Sequence, residues 1–388
     1  MKHFDIIILG AGASGCMCAL TAGKTGKKIL LIDKLAKAGK KLMATGNGRC
    51  NLSNHKVFPS DKFYNQNINK YLNRFNNAAT IDYFMSIGLF TQSDDEGRVY
   101  PYSNSAKSVI DVINNQISNY DNIQLSLENE VHSIEKDFNM FKVESSQGEF
   151  TCDRLVIATG GKSAEKIFEK FNLKFKPFVP SLVALKTENT RLLDGVRISD
   201  AKLEAKCGEK VYTEIGEILF KDSGLSGIVT FNASTLFSRE NNFNGSLKID
   251  LMPTCNLENV KNILKLRQKI NLKIKNLFDG MFVSQIGYHI LNKVKIEDEE
   301  RNASTLTEKE IEKLALAIKN ITLNVKGYYG NNQVHSGGII LDELTDNLES
   351  KKVKNLFFCG EVCDVDGICG GYNLQWAWTS GHIVGESL

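Results

Sequence analysis

An apolar, β-branched run from Asp5 to Leu9 ends in Gly10-Ala11-Gly12-Ala13-Ser14-Gly15, and a small-residue, helix-compatible stretch from Ala13 to Gly23 follows at once. A second apolar run, Lys28 to Ile32, ends at Asp33. Strand, tight turn, helix and strand in so short a span make one βαβ unit, which belongs in a parallel sheet. In that setting the glycine spacing has a chemical meaning. Gly10 permits the turn, Gly12 lets the backbone approach a pyrophosphate, and Gly15 allows close packing of helix on strand. The helix start around Ala13 and Ser14 offers free N–H groups and the positive end of a dipole to an anion. Asp33 is placed to accept hydrogen bonds from a ribose 2′-OH, with Lys34 beside it. The competing reading is a glycine turn that merely packs, and dinucleotide binding alone leaves both FAD and NAD open.

Three further segments carry related chemistry. GKKLMATGNGRCNLSN, from Gly39 to Asn54, is a Lys- and Gly-rich loop just after the ribose acid. It is suited to covering a pyrophosphate with backbone amides, Lys41 and Arg49, and Asn47, Gly48, Cys50 and Asn51 are counted with them. VIATGG, from Val156 to Gly161, repeats the strand-to-glycine pattern and puts Thr159, Gly160 and Gly161 beside the cofactor. Near the end, Cys359-Gly360-Glu361 closes an apolar strand, and Gly370-Gly371-Tyr372-Asn373-Leu374 opens an apolar helix. A helix N-terminus there would stabilise the negative charge that develops on a reduced flavin ring, and Glu361 would hold ribityl hydroxyls. Val131, in the strand-like segment Ile123 to Ile134, completes the expected cofactor contacts.

For turnover, Tyr372 and Asn373 are the nearest candidates by position, Arg49 and Arg98 are candidate anchors for an anionic substrate, and His335 is a candidate general acid. The plain alternatives are a solvated loop arginine and a merely hydrogen-bonded histidine. Cys50, Cys363 and Cys369 fall in the cofactor loops, where their spacing favours ordinary thiols over a redox relay. No His/Cys/Asp cluster has metal-ligand spacing, so no metal is expected.

The 388 residues are long enough for two or three domains. Lys+Arg 48 against Asp+Glu 45 leaves +3, and no clustered basic stripe stands out, so nucleic acid is not an expected partner. Nine cysteines without CxxC pairs read as reduced thiols of a cytoplasmic protein. The opening apolar stretch is too short for a signal-peptide core, and no membrane span is expected. From Leu182 to Leu251 moderately alternating segments suggest an antiparallel sheet or small barrel. From Leu257 to Asn320 the pattern is helical, with Thr307 and Glu310 as a capping box. The remainder reverts to glycines and apolar strands. The expected organisation is a discontinuous domain over 1–181 and 325–388, an inserted β or barrel-like domain over 182–256 and an inserted helical domain over 257–324.

GAGASG, Asp33, GKKLMATGNGRCNLSN, GRVYPYSNSA, PSLVAL, GLSG and GEVCDVDGICGGYNLQWAWTSG occur in that order over nearly the whole chain. Together they resemble the BaiN-like, aminoacetone-oxidase-like family of bacterial FAD flavoproteins. The resemblance implies an α/β fold: a Rossmann-type FAD-binding domain with a parallel sheet and a β-meander, interrupted by β-barrel-like and helical parts. It implies non-covalent FAD. The chain has one convincing dinucleotide fingerprint, so no dedicated site for NAD(P)H is expected and a nicotinamide, if used, would bind transiently in the cavity of the small-molecule substrate. The resemblance also implies an oxidoreductase that either oxidises an amine or amino ketone with O₂ or reduces a conjugated C=C bond. A flavin-binding redox sensor without turnover is the alternative from another class. The chain departs from the family at Phe220 to Ile228, where FTHxGLSGP is common, and this puts in doubt any substrate role carried over from that loop. Substrate and oligomeric state are not legible.

Overall fold

In the computed structural model, which describes every residue except 189 and 331–333, strand β1 (Lys2–Leu9) leads through the glycine turn into helix α1 (Ala13–Gly23) and on to strand β2 (Ile29–Ile32). Ile6, Ile7, Ile8 and Leu9 are all buried, as a central parallel strand covered on both faces requires. β1 pairs in parallel with β2 on one side and with Gly148–Ile157 on the other, and Leu9 is level with both Ile32 and Ile157. That register brings Gly10, Asp33 and Ala158 out together at the carboxyl edge of the sheet, where open α/β sheets bind ligands.

The sheet has seven strands. Ile123–Ser126 lies parallel to β2 at one edge. Gly148–Ile157 has two neighbours on its other side: Met140–Ser145 runs antiparallel to its first half, and Leu356–Phe358 runs parallel to its last residues. Val131–Asp137 completes the meander. The segment Ile123 to Ile134, expected as one strand, is two, because Glu128 adopts φ 51° and breaks the extended chain. The C-terminal helix Tyr372–Ser387 lies against α1, and the two backbones come very close: a Cβ at Gly381 would stand 2.4 Å from the Ser14 carbonyl oxygen.

The chain divides into two compact units, Met1–Val179 with Val334–Leu388, and Pro180–Gln333. In the second unit six antiparallel strands close into a barrel, in the order Ala184–Thr187, Gly224–Ser226, Lys210–Lys221, Arg197–Cys207, Gly245–Asp250 and Ile321–Tyr329. Two expectations are corrected here. The last barrel strand, Ile321–Tyr329, comes after the helices Leu257–Gln268, Ser284–Val294 and Glu308–Lys319, so the helices are an excursion between two paired barrel strands. They share one apolar core with the barrel, in which Leu247 and Ile249 lie with Val260, Leu264, Ile290 and Leu314. Barrel and helical parts are therefore one unit rather than two domains. The unit runs past 324, because the strand Ile321–Tyr329 is needed for closure. The capping box is present, with the Thr307 hydroxyl accepting from the Glu310 amide. No helix among the described residues is long and apolar enough to cross a membrane.

Candidate cofactor site

The site is built entirely in the first unit, from the carboxyl edge of its sheet upward. The Asp33 carboxylate accepts from the Ala11 amide at 2.7 Å and from the Leu35 amide at 2.8 Å, so it ties the end of β2 to the glycine turn. The Asp33 carbonyl accepts from the Asn129 amide at 3.0 Å, and Glu128 donates to the Leu35 carbonyl at 3.1 Å. This holds the segment leading to Val131 beside the acid. Lys34 stands 3.8 Å from Glu130, a mostly exposed pair that contributes little to stability.

The glycines of the turn have different reasons for being glycine. A Cβ at Gly15 would stand 1.8 Å from the Gly10 carbonyl oxygen, so the fold itself forbids it. At Gly12 a Cβ would meet nothing within 4 Å, and the backbone, φ −81° and ψ −168°, suits any residue. The protein has no use of its own for a bare Cα there. It is a cradle that a side chain would fill, placed before the first free amides of α1, and so it fits a dinucleotide's diphosphate.

Across the edge, three sequence-distant groups converge. The Glu361 carboxylate accepts from the His335 backbone amide at 2.8 Å and pairs with His335 Nδ1 at 3.0 Å, while its other oxygen lies 3.9 Å from Lys41 Nζ. Gly160 and Gly161 make room for them: a Cβ at Gly160 would be 3.0 Å from Lys41 Nζ, and one at Gly161 would be 2.7 Å from His335 Nδ1. Although burial opposes it, the His335 hydrogen bonds and the Lys41 charge hold the Glu361 carboxyl below its ordinary range. A carboxylate with a depressed native pKa stabilises the fold above its unfolded pKa, and that contribution is lost as pH falls through the native value. Glu361→Gln should therefore lower stability at neutral pH by about 1.5–3 kcal/mol, and the gap from wild type should close below about pH 4.5. Urea unfolding of both proteins across that range checks this.

The loop Gly39 to Asn54 is held to the C-terminal motif by Asn51. Its amide nitrogen donates to the Ser53 carbonyl at 2.9 Å and to the Val99 carbonyl at 3.2 Å, and its oxygen accepts from the Gly371 amide at 3.0 Å. Asn47 and Cys50 both sit at positive φ, with Gly48 between them. Arg49 lies 4.5 Å over the Tyr100 ring. Burial pushes the Cys50 thiol up to about 12 and the Cys363 thiol well above its ordinary value, so both are protonated at neutral pH.

The expected turnover residues fare differently. Arg98 is held by Asp94 at 2.7 Å and by Glu96 at 3.1 Å, so its charge is spent within its own hairpin rather than offered to a substrate. Asn373 accepts from the Gly367 amide and donates to the Gly367 carbonyl, both at 2.8 Å, which commits its amide to closing a turn. Tyr372 is buried, stacked on Phe63 at 4.6 Å with Tyr64 at its edge, and burial raises its hydroxyl to about 12. Ser14 donates to the Cys359 carbonyl at 3.2 Å, Leu374 packs on the rim of the core, and Thr159 lies two residues beyond the strand Gly148–Ile157. Of the turnover candidates, His335 alone is set into the polar cluster.

Sequence reasoning missed a buried polar network on the last helix. Gln375 accepts from the Ser53 hydroxyl at 2.6 Å and donates to Thr80 at 2.9 Å, Ser380 accepts from the Gly360 amide at 2.8 Å, and Trp376 and Trp378 donate to the Gly360 and Leu52 carbonyls. Polar residues inside an otherwise apolar helix were the available signal. A further group, His3, Asp5 and Asp153, brings ligand-type atoms together at the far end of the same strands; it is largely exposed and has no link to the cofactor edge.

The family model described as the HI0933-like protein Rossmann domain matches residues 4–387. The chain is 30% identical to a 3-dehydro-bile acid delta(4,6)-reductase of Clostridium scindens, with 98% of each chain covered. It is 31% identical to a ribosomal RNA dihydrouridine synthase of Escherichia coli, covering 100% of this chain and 98% of that protein. Among solved structures, a variant of the Escherichia coli quinol fumarate reductase FrdA superposes with a TM-score of 0.50 at 14% identity, over 100% of this chain and 70% of that one, a likeness of fold.

Proposed function

We propose, since the chain belongs to the HI0933-like Rossmann family, that it is an FAD-dependent oxidoreductase that saturates a C=C bond conjugated to a carbonyl. One observation carries the choice of reaction. The bile-acid reductase and the dihydrouridine synthase have unlike substrates, a steroid and an RNA base, yet both names describe adding hydrogen across a C=C bond in conjugation with a C=O group. An ancestor with that chemistry accounts for both, whereas amine oxidation is supported by neither.

FAD, when bound, supplies the hydride. The residues supply the rest. The amides after Gly12 would bind the diphosphate, Asp33 would accept from a hydroxyl of the adenosine ribose, and the Glu361 oxygen facing Lys41 would accept from a ribityl hydroxyl. Lys41, Asn47, Gly48, Arg49, Cys50 and Asn51 form the covering loop, with Gly160, Gly161, Gly360 and Gly371 leaving room for close approach. His335, its ring fixed by Glu361, is the proton source for the α-carbon. The reaction needs a two-electron donor; a reduced nicotinamide would serve by binding transiently, since the chain has a single convincing fingerprint for a dinucleotide.

Incubation under argon with a reduced nicotinamide and a 3-oxo-4-ene steroid should return product heavier by H₂. Peroxide made from an amino ketone in air, with no steroid or uridine saturated under argon, would overturn the reading in favour of the oxidase.

A further inference from the structure

Glu361 is carried by a turn held mainly by side chains distant in the sequence. Gly360, which precedes it, has φ 81°, and a Cβ there would stand 2.3 Å from Ser14 Oγ, so the position excludes any side chain. The polar groups of the two peptide units around Gly360 are taken up by two helices. Ser14, in the first turn of α1, donates to the Cys359 carbonyl at 3.2 Å. Ser380, on the C-terminal helix, accepts from the Gly360 amide at 2.8 Å. Trp376, one turn earlier on that helix, donates from Nε1 to the Gly360 carbonyl at 3.0 Å, and the Cys363 amide donates to the same oxygen at 3.1 Å.

Ser380 is aimed as well as placed. Its proton goes back to the Trp376 carbonyl at 2.6 Å, with the Ala377 carbonyl at 3.4 Å, which leaves a lone pair for the Gly360 N–H. Ser380, Trp376 and Cys359 are all buried. A hydroxyl inside an apolar helix carries a desolvation cost that alanine would avoid, and the Gly360 amide is what offsets it. The two helices are also fixed to each other at this level, because a Cβ at Gly381, the residue after Ser380, would stand 2.4 Å from the Ser14 carbonyl oxygen. The start of α1, the C-terminal helix and Glu361 are thus indexed to one another through Gly360. A small rotation of that peptide is enlarged at the far end of the Glu361 side chain, where the carboxylate must meet both His335 and Lys41. Misplacement of about 1 Å is costly at a binding or reacting centre.

We propose that Ser380 is a positioning residue, with Trp376 as its partner: through the Gly360 peptide it sets the Glu361 carboxylate where it would accept from a ribityl hydroxyl and hold His335. The inference rests on the FAD reading above. It concerns one half of the cofactor, because Asp33 and the amides after Gly12, which would take the ADP half, belong to the βαβ unit and not to this turn.

Calorimetric titration of the flavin-stripped protein with FAD and, separately, with ADP reads the two halves apart. Ser380→Ala should bind FAD about tenfold more weakly than wild type and ADP within about twofold of it. In a Glu361→Ala background, which has no carboxylate to place, adding Ser380→Ala should change FAD affinity no further. Trp376→Phe keeps a ring and loses the N–H; it should repeat the pattern, and it decides the matter where Ser380→Ala yields no folded protein. Equal losses for FAD and ADP would mean that the serine only packs the helices, and would overturn the assignment. So would a further tenfold loss in the Glu361→Ala background, or FAD affinity unchanged in both variants. Those outcomes leave the FAD reading standing. Wild type that binds FAD no more tightly than ADP would overturn the FAD reading, and the positioning role with it.

Discussion

Gly12→Val should leave the protein folded and colourless. A Cβ at Gly12 meets no protein atom within 4 Å and the backbone there is ordinary, so the fold raises no objection to a side chain. The diphosphate does, because its oxygens must reach the amides beyond that position. Overpacking a close contact costs about 1–3 kcal/mol or more, which is roughly fivefold to over a hundredfold in affinity. The purified variant should therefore lack oxidised-flavin absorption while keeping the far-UV circular dichroism and urea midpoint of flavin-stripped wild type. Gly15→Val is the contrasting case. Its Cβ would lie 1.8 Å from the Gly10 carbonyl oxygen, so it should fail to fold rather than fold without flavin. Full flavin content in Gly12→Val would mean that the turn is a packing device and the cofactor lies elsewhere.

The βαβ unit beneath the candidate site was legible because its signals are local. The strand, the glycine spacing and Asp33 lie within one βαβ unit, and each has a physical requirement that sequence alone expresses. The barrel's closure was not, because Gly245–Asp250 pairs with Ile321–Tyr329 across an intervening run of helices, and the pairing partner of a strand is not written in the strand. Tyr372 looked available beside a flavin motif; that it stacks on Phe63 depends on two segments some three hundred residues apart. Arg98 is the opposite lesson. Its partners Asp94 and Glu96 stood next to it in the sequence and were passed over.

The reaction itself is tested most directly by single-turnover reoxidation. The flavin-loaded protein is reduced under argon and freed of excess reductant, then mixed with a 3-oxo-4-ene steroid or with a short uridine-containing RNA while its flavin absorption is followed. Return of the oxidised spectrum without O₂, saturating with the concentration of one of these acceptors and matched by product heavier by H₂, is the predicted result. A flavin that stays reduced with both acceptors and turns yellow only when air is admitted would contradict the account.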